Sequence, residues 1–373
     1  MLCTIYALVG SPTPDTFGLP ELAIGALLIT SVGFTRFFES FKTIDKSVFW
    51  IGAGQVFLLY GLVISSLTGA MQGQSLWVML RDIIPFLYLF LPLFFYPLIK
   101  QNVQFIYVLL AGIIAIGLGF SLRSVFYHQE LLYLENMPSV LLSCLLLLGG
   151  GITLYLQAKN RLHKVIAIAL LGFSLLPLMA MIETLQRASI GAVCLYLLAI
   201  SAYFLWLKPQ KAFIPVLCVA MASCLVFMAY SPLLGQFFEK NNKVGLNMRP
   251  QEFLAVWQIL SKDPAHFLFG TGWGGTFHSP AVDNLRVNFT HNFFSSVLLK
   301  TGGCGLIFAS AYIAGLLERL IRVVIISPVL GLAIFAPVLI DLLLYASFKS
   351  LDFGLVLLMI PVSLIYLRNS ETS

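Results

Sequence analysis

The sequence predicts an all-α polytopic membrane protein with about eleven transmembrane helices, and three observations carry that prediction. Of 373 residues, 59% are hydrophobic and only 10% are charged, whereas a soluble domain carries roughly 25% charged residues. Apolar runs of about 18 residues or more, long enough to cross ~30 Å of hydrocarbon, recur along the chain. The Lys and Arg residues gather in alternate loops, the asymmetry that orients membrane proteins. In such a chain the formal charge of +6 speaks for orientation and not for a nucleic-acid partner.

Taken in order, Met1 to Gly10 is apolar but too short to cross, and Ser11-Pro12-Thr13-Pro14-Asp15 closes it. It reads either as a signal peptide lacking a basic start or as the stub of a shortened helix. Spans over 18–35, 48–69, 76–98, 103–122, 138–157, 164–183, 188–207 and 212–230 make an N-terminal bundle, residues 1–230. A long loop follows over 231–290. Spans over 291–315, 326–346 and 351–368 make the C-terminal unit, 291–373. Arg36, Lys42 and Lys46, then Lys159, Arg161 and Lys164, then Lys208 and Lys211, Arg319 and Arg322, and finally Arg368 all fall on one side. That side is the cytoplasm, which puts the N-terminus and the 231–290 loop outside and the C-terminus inside. No internal repeat is visible, and an odd helix count fits poorly with the paired halves of many transporters. Cys3, Cys144, Cys194, Cys218, Cys224 and Cys304 are scattered without C-x-x-C or zinc spacing and read as small hydrophobes.

Within the long loop, "NMRPQEFLAVWQILSKDP" predicts a short helix. Pro250 suits its first position, Phe253, Val256, Trp257 and Leu260 share a face, and Lys262-Asp263-Pro264 ends it. Such a helix suits the membrane interface, with Trp257 at headgroup depth among membrane lipids and Arg249 at its N-terminal edge. Gly270-Thr271-Gly272-Trp273-Gly274-Gly275 follows. Its glycines permit positive φ, so Gly272 and Gly274 could turn backbone N–H groups onto an anion, or simply make a tight turn back into the membrane. Without G-K-[ST] it is not a nucleotide loop.

An ionisable group inside or at the edge of a membrane helix costs several kcal/mol unless it is paired or functional. Four places meet that description. Glu183 and Arg187, spaced i, i+4, can pair on one helical face. Arg81-Asp82 lies one turn inside the third span, Arg249 stands in the loop, and His291 opens the ninth span with Asn292 beside it as cap or ring-orienting group. Each has an ordinary structural reading, but all four fall on the outer face. Asp341, in the tenth span, stands apart without a role. Arginines match phosphate oxygens with planar forks, and a neutral His can take a proton from a hydroxyl. No D-x-D and no metal-ligand spacing occur. The chemistry that fits is metal-independent, cofactor-free group transfer from a polyprenyl-phosphate donor, with His291 as general base, Arg187 and Arg249 on the leaving group, and Arg81, Gly272, Gly274 and Asn292 binding substrate.

"QRASIGAVCLYLLA" and "RPQEFLAVWQIL…FLFGTGWGG…THNFFSSVLLKTGGCGLIF" resemble the O-antigen ligase and polymerase superfamily over about residues 185–310. An arginine before small residues, an arginine before a Trp-containing helix, a proline, a G-x-G turn, a His-Asn and a Gly-x-x-Gly helix occur in order. The resemblance implies a C-type glycosyltransferase fold in a bacterial inner membrane with its site facing the periplasm. It implies an undecaprenyl-pyrophosphate-linked glycan as donor. The acceptor would be the lipid A-core oligosaccharide in a ligase, or another lipid-linked repeat unit in a polymerase. Arg187 and Arg249 then match the pyrophosphate-binding arginines and His291 the base. The chain departs from the family in its odd helix count and in carrying Phe289-Thr290 where many members have a second His. A ligase is the favoured expectation, ahead of a polymerase, a protein O-oligosaccharyltransferase and a lipid or solute transporter. A transporter would carry polar groups through both halves of the membrane.

Overall fold

The computed structural model describes Tyr6, Ala26, Thr30 and residues 49–126, 137–211 and 248–372. Eight helices among them are long and apolar enough to cross a membrane. The first span joins α1 (Phe49–Tyr60), a π-helical turn over Gly61–Ser65 and α2 (Ser66–Met71); the second joins α3 (Leu76–Tyr88) and α4 (Leu91–Gln101). α5 (Phe105–Phe126), α6 (Pro138–Gln157), α7 (Arg161–Glu183) and α8 (Arg187–Leu207) follow. The loop segment holds α9 (Arg249–Leu260), α10 (Pro264–Phe269) and a two-stranded antiparallel ribbon, β1 (Phe277–Ser279) with β2 (Leu285–Val287). α11 (Phe293–Ile326), α12 (Pro328–Leu343) and α13 (Leu351–Thr372) close the chain. α12 is shorter, at 16 residues. The expected spans over 18–35 (bar Ala26 and Thr30) and 212–230 lie outside the described residues, as do Arg36, Lys42, Lys46, Cys3, Cys218 and Cys224. The described residues therefore supply eight long apolar helices and one shorter one rather than about eleven spans.

α13 is the axis of the bundle. Of its apolar window 78% is buried, against 28% for α7 and for α8, which therefore lie at the rim. Leu162, Val165, Ile168 and Phe173 of α7 and Leu195, Leu198 and Trp206 of α8 are exposed, an outward apolar surface suited to lipid and not to water. α13 packs on α4, α5, α11 and α12. Its Asp352 reaches α6, whose own cap residue, Met137, offers no side-chain acceptor. There Ser139 donates from its backbone N–H at 3.1 Å and from Oγ at 2.8 Å to Oδ2, and the Tyr6 hydroxyl donates to Oδ1 at 3.2 Å. The carboxylate caps the helix start from another helix.

α11 runs past the expected end of its span. Its 34 residues correspond to about 51 Å, so Arg319 and Arg322, expected in a loop, sit on the helix, where Arg322 pairs with Glu318. The helix is also broken. Gly302 takes φ 66° and ψ −169°, a backbone state that strains any residue with a Cβ. The carbonyls around the break find new donors. Leu299 O accepts from the Thr271 N–H at 2.8 Å, Lys300 O from the Gly272 N–H at 3.0 Å, and Thr301 O from the Tyr60 hydroxyl at 3.0 Å. Non-helical backbone at membrane depth is tolerated where protein satisfies it in this way.

The same glycine turn grips the first span. There the π turn exposes carbonyls, so Trp273 donates its backbone N–H to Ser65 O at 3.1 Å and its indole N–H to Gly61 O at 2.7 Å. Gly272, at φ 74°, packs so closely that a Cβ would lie 2.1 Å from the Gly69 nitrogen. Residues 270–275 thus form a turn wedged between the first span and α11.

α9 lies where the sequence places it, but its apolar face divides. Val256 and Leu260 are fully buried with Glu252, whereas Phe253 and Trp257 point outward, 45% and 43% exposed. The outward pair stacks at 6.4 Å between ring centroids and keeps the aromatic surface expected of an interfacial helix.

Candidate functional site

One end of the bundle gathers the α2–α3, α7–α8 and α12–α13 connections under the loop segment. The Tyr345 hydroxyl, between α12 and α13, accepts the Ala188 N–H at the start of α8. Asn292 donates its amide to Leu343 O at 3.1 Å. Arg187, Arg249, His291 and Arg81-Asp82, which are far apart in sequence, all lie at this end.

His291 faces Glu252. The Glu252 carboxylate is 2% exposed; its Oε2 accepts the His291 backbone N–H at 2.9 Å, and its Oε1 lies 3.2 Å from Nδ1 of the ring. The Ser279 hydroxyl donates to Oε1 at 2.8 Å. The ribbon puts Ser279 there: Asp283 and Asn284 take φ 48° and 58° to make its turn, and Ser279 pairs with Leu285 at its end. Burial pushes the Glu252 carboxyl up, but the His291 side-chain and backbone donors and the Ser279 hydroxyl outweigh it and hold the group below the usual range. It is therefore ionised at neutral pH and can only accept, which makes Nδ1 the donor; in the neutral ring that a general base requires, Nε2 is then the unprotonated nitrogen. The His291 side chain is 25% exposed. The direct neighbour of His291 is thus a carboxylate and not one of the arginines.

Arg249 opens α9 after Met248, which takes φ 55°. Its guanidinium carbon lies 5.6 Å from the centre of the Tyr345 ring, within cation–π range. Its Nε is buried without a hydrogen-bond partner. Burial lowers its proton affinity, Tyr345 and Glu252 oppose that, and the neighbouring Arg187 adds repulsion. Arg187 opens α8. Glu183 closes α7, and Leu185 at φ 52° breaks the backbone between them, so the single helical face expected for Glu183 and Arg187 does not exist.

Asp82 turns to Lys300 of α11 rather than to Arg81. The two form a buried ion pair, with Lys300 also donating to Gly275 O at 2.7 Å. Asp82 further accepts the Gly274 N–H at 2.9 Å and the Asn288 amide at 3.5 Å. This corrects the anion-cradle reading of the glycine turn. The N–H groups of Gly272 and Gly274 go to Lys300 O and Asp82, that of Gly275 to Gly272 O at 3.2 Å, and none converges on an empty position. The turn back into the bundle is the alternative that the geometry matches. Asn292 is likewise spent as the cap of α11: its Oδ1 accepts the Phe294 and Ser295 N–H groups at 2.8 and 3.3 Å. Its contribution is to fix the end of the helix that His291 precedes.

No family model and no curated protein matches this chain. The chemistry therefore rests on the residues themselves. They supply an imidazole with its orienting carboxylate and, at the same end of the bundle, two guanidiniums, one with an unspent buried donor. Such a set can accept a proton from a hydroxyl and stabilise an anionic leaving group. Among the described residues, no three His, Cys, Asp or Glu side chains group as metal ligands. Asp341, without a role in sequence, accepts the Ser347 hydroxyl at 2.5 Å and keeps its second oxygen buried and unpaired. Glu252, Lys300, Tyr345 and Lys349 were not legible as site residues. Lys300 did carry a signal, a lone cation inside an apolar run that needs an opposite charge in another span.

Proposed function

We propose that this protein is a membrane glycosyltransferase that moves a glycan from a polyprenyl diphosphate to an acceptor hydroxyl. The observation that carries the reading is the Glu252–His291 pair, whose free Nε2 opens at the same end of the bundle as Arg187 and Arg249. His291 takes the proton of the acceptor hydroxyl, and the hydroxyl oxygen forms a bond to the anomeric carbon. The bond from that carbon to the phosphate oxygen breaks, and its electron pair leaves with the diphosphate, which the two arginines hold. The resemblance over residues 185–310 supports an O-antigen ligase-like activity with a lipid A-core acceptor. A polymerase would run the same step with a lipid-linked repeat unit as acceptor. The basic residues of the opposite end, Lys159 between α6 and α7, Arg161 at the start of α7, and Arg319 and Arg322 near the end of α11, support a periplasmic site in a bacterial inner membrane.

Two experiments test this. With the native cysteines replaced, Lys262→Cys is expected to react with an impermeant reagent on intact spheroplasts and Lys159→Cys only after lysis; the reverse pattern removes the periplasmic assignment. Purified protein in detergent is expected to transfer glycan from a lipid diphosphate. Arg187→Ala and Arg249→Ala are each expected to lower turnover by about 100-fold or more, a loss of the order seen when an anion-stabilising donor is removed. The Lys variants should recover only part, because an ammonium lacks the bidentate fork. Normal transfer by either Ala variant would take that arginine out of the site.

A further inference from the structure

A third cation stands at the same lip with nothing to hold. Lys349 ends the short 3₁₀ turn Ala346–Lys349 between α12 and α13. Tyr345, which lies against Arg249, immediately precedes that turn. Phe348, beside Lys349, packs edge-on against Phe293 at 5.5 Å, and Phe293 follows the His291-Asn292 pair directly. The lysine is therefore tied on one side to the arginine lip and on the other to the base.

Its electrostatic setting is unbalanced. The Lys349 side chain is only 25% exposed, and among the described residues its one acidic neighbour is Asp82, whose Oδ1 lies 3.9 Å from Nζ, beyond hydrogen-bond length. That carboxylate already receives Lys300, the Gly274 N–H and the Asn288 amide. Among the described residues Lys349 donates no hydrogen bond. Arg81, Lys300 and Lys349 share the field of this one carboxylate, so three positive charges face one negative. A largely buried ammonium with three unspent donors is costly unless a ligand completes it. Burial pushes its proton affinity down to about 8, with Asp82 opposing and Lys300 and Arg81 adding to the fall. An incoming anion would offset that loss.

We propose that Lys349 is a phosphoryl-binding residue that holds an oxygen of the donor's diphosphate, on the base side of the lip opposite Arg187 and Arg249. The assignment rests on the function proposed above, and it adds a point charge to the two planar forks. Asp82 and Lys300 do not touch the ligand; they hold Lys349 in place and keep it from collapsing onto a full ion pair.

The test is binding of farnesyl diphosphate to full-length protein in detergent, beside binding of a phosphorylated core-oligosaccharide acceptor. Lys349→Met keeps the length of the side chain and removes its charge. It is expected to weaken farnesyl diphosphate binding by about 10- to 100-fold, the range for a hydrogen bond to a charged group, and to leave acceptor binding unchanged. Lys349→Arg should retain most of the affinity, which separates loss of charge from loss of folding. Equal diphosphate affinity in wild type and Lys349→Met, or a loss confined to the acceptor, overturns the assignment. Wild type that binds the diphosphate but transfers no glycan overturns the proposed function while leaving the lysine's role standing. Wild type that binds neither probe overturns both.

Discussion

His291→Ala is expected to lower glycan transfer by about 10²- to 10⁴-fold, the range that a positioned general base contributes, while lipid-diphosphate binding persists. The structure sharpens this into a paired prediction with Glu252→Gln. In the native site the ionised carboxylate can only accept, so Nδ1 carries a proton and the neutral ring keeps Nε2 as its base. A glutamine amide can donate to Nδ1 instead, which favours the tautomer with its proton on Nε2, where no base remains. In the Ser-His-Asp triad of serine proteases, the corresponding carboxylate-to-amide change costs about 10⁴-fold in turnover through the wrong tautomer. Here Glu252→Gln is expected to cost at least about 10²-fold, chiefly in kcat, with donor KM little changed. Single-turnover transfer with purified protein measures both. Near-normal turnover in His291→Ala would reduce the residue to a neighbour of the Asn292 cap, and a normal rate in Glu252→Gln would detach the carboxylate from the chemistry.

The second large effect is on stability. Asp82 and Lys300 are both nearly inaccessible, at 4% and 2% exposure of their side chains, and removal of one partner of a buried pair typically costs about 3–5 kcal/mol. Lys300→Met is expected to destabilise at the lower end of that range, because Lys349 stands 3.9 Å from the abandoned carboxylate and can move onto it. Asp82→Asn should cost more, since it leaves Lys300 and Lys349 facing each other and weakens the acceptor of the Gly274 N–H. The double variant Asp82→Asn/Lys300→Met is expected to be more stable than the sum of the single losses predicts, the signature of direct coupling. Denaturant unfolding in detergent measures all three. Additive losses would mean that the two side chains do not interact.

Much of the membrane architecture was legible in sequence because hydrocarbon imposes a simple length rule. The spans beginning near residues 48, 76, 103, 138, 164, 188, 291, 326 and 351 all correspond to helices. The convergence of Arg187, Arg249 and His291 was also legible, since charges at the edges of apolar runs stand out. Glu252 was not, because it lies in an ordinary polar stretch of α9. Its burial depends on Ser279, 27 residues away on a two-stranded ribbon that no apolar pattern announces. Gly272 and Gly274 read equally well as an anion cradle or a turn until the partners of their N–H groups were known. Those partners, Lys300 O and Asp82, are 28 and 192 residues distant. Phe253 and Trp257 share a helical stripe with Val256 and Leu260 by spacing alone, and only the position of α11 and β1 decides which half of it turns inward.

The break at Gly302 bears on how the chain is made. A span that leaves the translocation machinery as one regular helix satisfies its own backbone, but α11 does not: its carbonyls at Leu299 and Lys300 are completed by residues 271 and 272. Those residues precede α11 in the chain and are synthesised first. Trp273, next to them, must fold back against Ser65 and Gly61, which emerged some two hundred residues earlier. The backbone of α11 is therefore complete only when a segment outside it has docked. A chain whose loop has not docked leaves the Leu299 and Lys300 carbonyls without these donors, a costly state in hydrocarbon. The wedge that shapes the lip of the site thus ties completion of the α11 backbone to assembly of that lip.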